Sequence, residues 1–320
     1  MSEQTEQAST AQRKPELCIG AGSLEQIERY AAAGATAVYI GDPRFGMRLA
    51  GDIPEEQTGE AIRRAHELGL KAYVVCNGIL HNEVLPELPA YLRIAADAGA
   101  DAVVFGDPAV LIAMRQAGVR LPLHWNAEMT STNYVTANYW ISKGATRVYL
   151  ARELNMDEVI DVKQHLNAEC EVLVHGMTNM YHSKRTLLTN YWEHQGQSAE
   201  GEQLDAGRKL YLIEEERQDA KYPVYEDANG THVMSGDDVC MLESLHELME
   251  AGIDSFRVEG LLKSVEYNEA VLRSYRTAID AYAADPEQYA FEEQWLEPIR
   301  RMQDPNRELS FGFYYKEQVY

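Results

Sequence analysis

Ala33-Gly-Ala-Thr-Ala-Val-Tyr-Ile-Gly41 is the stretch that decides the fold. A helix closes on Ala-Gly, glycine being the residue that turns a helix C-terminus with least strain, and a β-branched strand begins at Ala37. The same unit recurs as Ala98-Gly-Ala-Asp-Ala-Val-Val-Phe-Gly106. Working outward, strands are predicted at Leu17–Gly20, Ala37–Gly41, Lys71–Asn77, Ala102–Gly106, Leu123–Asn126, Arg147–Leu150, Glu171–His175 and Ser255–Glu259. Helical patterns separate them. The first runs from the N-cap residue Ser23 to Gly34, and others are predicted over Glu55–Gly69, Leu85–Gly99, Ala109–Gly118, Asn133–Gly144 and Met156–Asn167. Asp238–Gly252 and Val265–Ala283 complete the series. Eight βα units in one chain predict an α/β protein whose parallel sheet closes into a TIM-like (β/α)8 barrel.

The rhythm breaks over residues 177–236, between Met177 and Gly236. Lys209–Glu214, Tyr222–Tyr225 and Thr231–Met234 alternate, and Asp227-Ala-Asn-Gly230 reads as a turn, which predicts a small antiparallel β insertion after strand seven. Such an insertion would cover the barrel face where enzymes of this architecture place their sites. The predicted organisation is a disordered tail over 1–13, a barrel over 14–285 interrupted by 177–236, and an extension over 286–320 that packs on the barrel.

Across 320 residues, 29 Lys+Arg against 51 Asp+Glu give a net charge of −22. A surface this acidic repels a phosphate backbone, so nucleic acid would need a local basic patch or a partner that supplies one. No window approaches a membrane span and the N-terminus lacks an apolar signal region, so a cytoplasmic protein is expected. Cys18, Cys76, Cys170 and Cys240 include no CxxC pair, and each sits in an apolar run, as core thiols do.

Strand ends converge on one barrel face, so their polar residues form the candidate pocket: Asp42, Asn77, Asp107, Asn126, Glu128, Arg152, Glu153, His175, Arg257 and Glu259. Strand-end polar residues also cap neighbouring helices, which is the competing reading for each. HExxH, GxSxG, GxGxxG and GxxxxGK[ST] are missing, and no metal site is expected. Lys184-Arg185 and Arg208-Lys209, with Tyr181, Tyr191 and Trp192, could stack and pair with a nucleotide.

The chain resembles the peptidase U32 (collagenase-like) family. Ala33 to Gly41 followed by Phe45 and Arg48 is similar to the family's AGADAVYxG…F..R. Asn126-Ala-Glu-Met129 with Asn133, Leu150-Ala-Arg-Glu-Leu154 and Glu171-Val-Leu-Val-His-Gly176 follow, the last resembling the signature E-x-x-x-H-G. Ser235 to Met241, Arg257-Val-Glu-Gly260 with Lys263, Ser264 and Tyr267, and Phe311-Gly-Phe-Tyr314 match the remaining blocks in order. The departures carry more information. Family members that hold an iron–sulfur cluster continue the signature with cysteines, and those positions are Asn179 and Thr186 here, while the family's arginine after KIEG is Leu261. An amide and a hydroxyl do not replace thiolates, so no cofactor is expected on this chain.

Within that family the resemblance is to the short, cysteine-poor member of pairs that form 5-hydroxyuridine at the tRNA wobble position. It implies a longer cysteine-bearing paralogue as partner, tRNA bound through the complex, and prephenate as hydroxyl source. His175, Glu153 and Glu259 are the candidate catalytic residues, and Arg48, Asn126, Arg152 and Arg257 the candidate substrate-binding ones. Lys184, Arg185, Arg208 and Lys209 are the candidate nucleic-acid contacts. A collagenase-like peptidase and a non-catalytic scaffold subunit are the alternatives.

Overall fold

A computed structural model describes residues 14–126, 131–197, 204–216, 218 and 220–317; the expected 1–13 tail lies outside the described residues. Seven strands come first: β1 (Glu16–Gly20), β2 (Ala37–Ile40), β3 (Lys71–Cys76), β4 (Ala102–Phe105), β5 (Leu123–Trp125), β6 (Ala145–Tyr149) and β7 (Glu169–Gly176). Helices α1 (Leu24–Ala32), α2 (Glu55–Glu67), α3 (Leu88–Asp97), α4 (Ala109–Ala117), α5 (Tyr134–Ser142) and α6 (Met156–Gln164) alternate with them. An insertion then supplies β8 (Asn179–Ser183), α7 (Leu187–His194), β9 (Leu210–Ile213), β10 (Lys221–Asp227) and β11 (Gly230–Met234). The chain returns through β12 (Asp238–Cys240), α8 (Leu245–Glu250), β13 (Ser255–Glu259), α9 (Val265–Ala284), α10 (Glu297–Met302) and β14 (Leu309–Ser310).

Strands β1 to β7 pair in parallel in chain order, and β13 pairs in parallel with both β7 and β1, closing the eight-stranded ring. The predicted (β/α)8 barrel is therefore the fold, with a separate antiparallel sheet ordered β8-β11-β10-β9 after strand seven. β2 (Ala-Val-Tyr-Ile) and β4 (Ala-Val-Val-Phe) are buried at every position, as parallel strands covered on both faces must be. Side-chain caps set the helix starts: Ser23 accepts from the Gln26 amide, and Asn155 and Glu158 form a reciprocal capping box. Gly34 and Gly99 take φ of 102° and 83°, which lets each Ala-Gly ending turn directly toward the next strand.

Two apolar layers result. Leu17, Ile19, Val38 and Ile40 face the helices, while Cys18, Tyr39, Tyr73, Val75, Val104 and Tyr149 form a separate cluster inside the barrel. All four cysteines are buried free thiols, and burial raises the pKa of each. Within the barrel the Arg147 guanidinium meets Glu169 at 2.6 Å, Glu16 at 2.8 Å and Glu171 at 3.4 Å. Among the described residues no helix is long and apolar enough to cross a membrane.

The predicted helix Asp238–Gly252 is corrected to a strand, β12, followed by the short α8. Val239 and Cys240 pair antiparallel with Gly176 and His175 of β7, and β14 pairs with the other side of β12. Buried ion pairs hold Asp238 there, 2.5 Å from Lys263 and 2.8 Å from Arg307. Burial alone would raise its pKa, but Arg307 and Lys263 outweigh it and pull the value from 3.8 to about 2. That contribution to stability is complete above about pH 4 and disappears as pH falls through about 2, a span worth about 2 kcal/mol. Asp238→Asn should lose about 2 kcal/mol or more at pH 7 and respond less to acid, measured by denaturant unfolding at pH 7 and pH 3. Equal losses at both pH values would show that the ion pairs do not hold this segment.

Candidate functional site

The C-terminal ends of the barrel strands and the inserted sheet line a cleft whose two lobes share walls. Arg48, Asn126, Tyr149, Arg257 and Glu259 line both lobes. Arg152, which follows β6, Glu171 of β7, and Met177, Thr178, Asn179 and Met234 from the insertion also line the first. The insertion also steadies the loop that carries Arg48. Asn229, in the predicted turn between β10 and β11, donates from Nδ2 to the Pro43 and Gly46 carbonyls at 3.1 Å. Arg48 itself has φ 54°, an uncommon conformation for a residue with a side chain.

Three arginines and two glutamates line the first lobe, in a chain whose net charge is −22. Burial pulls the Arg48 pKa down to about 10, and neighbouring Arg257 and Arg152 push it the same way. Burial lowers Arg152 as well, with Arg257 adding to the effect against Glu153. Burial also opposes the charge on Arg257, but Glu259, at 2.5 Å, and Glu171 outweigh it and raise its pKa. Burial raises the Glu171 pKa, against Arg147 and the hydroxyls of Tyr39 and Ser255, which donate to Oε2 at 2.5 and 2.7 Å. Tyr149 in the cleft wall and Tyr39 join hydroxyl to hydroxyl at 2.9 Å, linking the cleft to that carboxyl. Three guanidiniums facing one lobe, balanced in part by Glu259, Glu171 and Glu153, offer charge-assisted hydrogen bonds to a small anion.

Of the sequence-predicted residues, the cleft brings together Arg48, Asn126, Arg152, Arg257 and Glu259. Glu153 is not in its lining; its carboxylate, 40% exposed, lies 3.5 Å from Arg152. His175 turns away. Register on β13 steps from Arg257↔Leu173 to Val258↔His175, so β7 carries one extra residue there. Such a bulge reverses which face a side chain meets. The His175 ring packs against Tyr267 and Tyr275 of α9, with Nε2 3.0 Å from the Tyr267 hydroxyl. Burial lowers its pKa to about 3, so it is a neutral ring inside the wall.

Asp42 and Asp107 act as caps, Asp42 accepting from the Glu55 amide and Asp107 from the Ala109 amide. Asn77 accepts from the Met47 amide at 3.0 Å and also lines the second lobe. Glu128 lies outside the described residues. Lys184 and Arg185 are exposed just before α7, and Arg208 lies over the Trp192 ring of that helix at 5.6 Å, beside exposed Lys209. Tyr149, Glu171 and the insertion residues are cleft components that the list of strand-end polar groups omitted. Inward period-two placement of Tyr39 and Glu171 on their strands was the available signal.

Among the described residues no group of three or more His, Cys, Asp or Glu is placed to hold a metal ion. Asn179 is buried at the start of β8 and Thr186 exposed before α7, so the donor set offers no thiolate where the family cluster would need it. An iron–sulfur cluster does not fit these residues.

The model of "Peptidase family U32" matches residues 22–319. The chain is 47% identical over 309 residues to tRNA hydroxylation protein P2 of Bacillus subtilis, spanning 96% of this chain and 100% of that one. It is 31% identical over 314 residues to tRNA hydroxylation protein P1 of the same organism, spanning 96% of this chain and 74% of that one. tRNA hydroxylation protein P of Escherichia coli is also 31% identical over 314 residues, covering 85% of this chain and 69% of the relative. With the family model matching residues 22–319 and a likeness to its relatives running almost end to end, this chain belongs to peptidase family U32.

Proposed function

We propose that this chain is a cytoplasmic subunit for tRNA wobble-uridine 5-hydroxylation, acting beside a longer, cysteine-bearing paralogue. The observation that carries the reading is the arginine trio, buried Arg48 with half-buried Arg152 and Arg257, concentrated in one cleft of a strongly acidic chain. A dianionic carboxylate such as prephenate matches that chemistry, guanidinium forks pairing with carboxylates. Glu259, fixed by Arg257, is the carboxylate of the three candidates placed to touch such a ligand. His175 supports the wall through Tyr267 and is a positioning residue. The names of the relatives favour hydroxylation, and the coexistence of P1 and P2 in one organism fits a paired system. Lys184, Arg185, Arg208 and Lys209 supply this chain's share of the RNA contact; the partner supplies the rest.

This reading is preferred to peptide cleavage because the described lining of both lobes contains no serine, cysteine or histidine. Deleting the gene should remove hydroxylated wobble uridine from bulk tRNA, read by nucleoside mass spectrometry, and the wild-type gene should restore it. Unchanged modification in a strain without a duplicate gene would overturn the proposal.

A further inference from the structure

A second pocket lies outside the arginine cleft, between the inserted sheet and the start of α9. Tyr211 and Tyr225 line it from the sheet, Lys263 and Ser264 from the start of α9, and Arg307 from the C-terminal extension. Met177 lines this pocket and the first lobe of the cleft alike. It packs with Tyr225, Met234 and Leu261 in one small cluster, so an apolar partition separates the two sites.

The polar side of the pocket is cationic. Lys209, Lys263 and Arg307 line it against a single carboxylate, Asp304. Buried Asp238 pairs with both Lys263 and Arg307. Three cations therefore meet two carboxylates, and the pocket keeps a positive excess in a chain of net charge −22. Helix α9, 20 residues long, begins here at its N-cap Ser264, and the amides and dipole of a helix N-terminus favour an anion. Two buried donors on the lining have no acceptor among the described residues. Arg307, 8% exposed, directs Nε and Nη2 to Asp238 and to the Ser235 and Asp237 carbonyls, while its Nη1 is unpaired. The hydroxyl of Tyr225, a residue 4% exposed, is the other. A buried donor without a partner costs about 1–3 kcal/mol, which a ligand acceptor relieves.

A tyrosine face beside a cationic corner is the chemistry that recognises a nucleotide, the base stacking and the phosphate meeting the charge. Tyr211 is 40% exposed and offers the face. Asp304 is exposed and can accept from the ribose 2′-hydroxyl. We propose that this pocket holds one nucleotide, its base on Tyr211 and its phosphate against Lys209, Lys263, Arg307 and the N-terminus of α9. The inference rests on the function proposed above only for uridine as the base. It supplies the local basic patch that so acidic a chain needs in order to meet RNA.

The test is calorimetric titration of the full-length protein with UMP, uridine and a short oligouridylate. UMP or the strand should bind at millimolar concentration or below, and uridine should bind about tenfold more weakly than UMP. Binding of UMP shows that a free nucleotide suffices, and binding of the strand alone assigns the pocket to a nucleotide within RNA. Tyr211→Ala and Lys209→Glu should each weaken whichever probe binds by about tenfold. Both positions are exposed, and thermal melting checks that each variant folds. The gene deletion above reads hydroxylation and this titration reads binding without it, so either can fail alone. Absence of binding by both UMP and the strand, or binding indifferent to both substitutions, would show that this pocket is not a nucleotide site.

Discussion

An Arg147→Leu variant is expected to lose about 3–5 kcal/mol of folding stability, a drop in melting temperature of roughly 4–7 °C. The guanidinium is 1% exposed and lies between Glu16, Glu169 and Glu171, so its removal leaves carboxylates inside the barrel without their counter-ion. Burial already pushes the pKa of Glu16 upward, and Arg147 is the first of the groups that bring it below its usual value; Glu171 is raised even with Arg147 present. Without the arginine the Glu171 pKa rises further above its unfolded value, and Glu16 keeps only Lys71 and Tyr73 against burial. A raised folded pKa gives stability that is present at low pH and lost as pH climbs through it, so the penalty should be larger at pH 8 than at pH 5. Adding Glu171→Gln should recover part of the loss at pH 8. Thermal unfolding of the three proteins at both pH values decides it: a penalty independent of pH would mean that lost packing, not uncompensated charge, is the cause.

Arg48→Met is expected to have the opposite effect on stability while disabling the cleft. Burial and two neighbouring arginines hold the Arg48 pKa near 10, so its charge is carried against the fold at neutral pH. Replacing it should raise stability by about 1–3 kcal/mol, the stability that a functional charge commonly costs. The same change should weaken binding of a dicarboxylate probe such as malonate by about tenfold to a hundredfold, the value of one charge-assisted hydrogen bond. Calorimetric titration and thermal melts of the same preparations measure both quantities. A variant that is less stable, or that binds malonate as the wild type does, would remove Arg48 from the anion site.

The barrel was legible because its signals are local. Ala-Gly helix endings, N-cap residues such as Ser23 and fully buried β-branched runs each declare themselves within a few residues. Arg152 and Arg257 were legible for the same reason, each lying in or just beyond a strand end, whereas Arg48, in the loop after β2, was reached through the family resemblance. His175 was misplaced because its direction depends on an extra residue in β7, and a bulge shows only against the partner strand. β12 read as the start of a helix because its strand conformation is imposed from outside, by Gly176, His175, Lys263 and Arg307. Glu171 is one residue of an apolar run in sequence, and its environment comes from Tyr39, Arg147 and Ser255 on three other strands.

Ring closure has a consequence for how the chain is made. β1 waits for β13, and the Cys18 thiol meets its Ser255 hydroxyl partner from 237 positions away in sequence. Until β13 leaves the ribosome, β1 and β7 are bare sheet margins, and Glu16 and Arg147 sit in an unsealed half-ring. Contacts this distant in sequence form slowly, and the open margins are places where nascent chains stick to one another. Vectorial synthesis therefore leaves this protein exposed for most of its translation, and its yield in the cell should depend on chaperones that shield those margins until the last strand arrives.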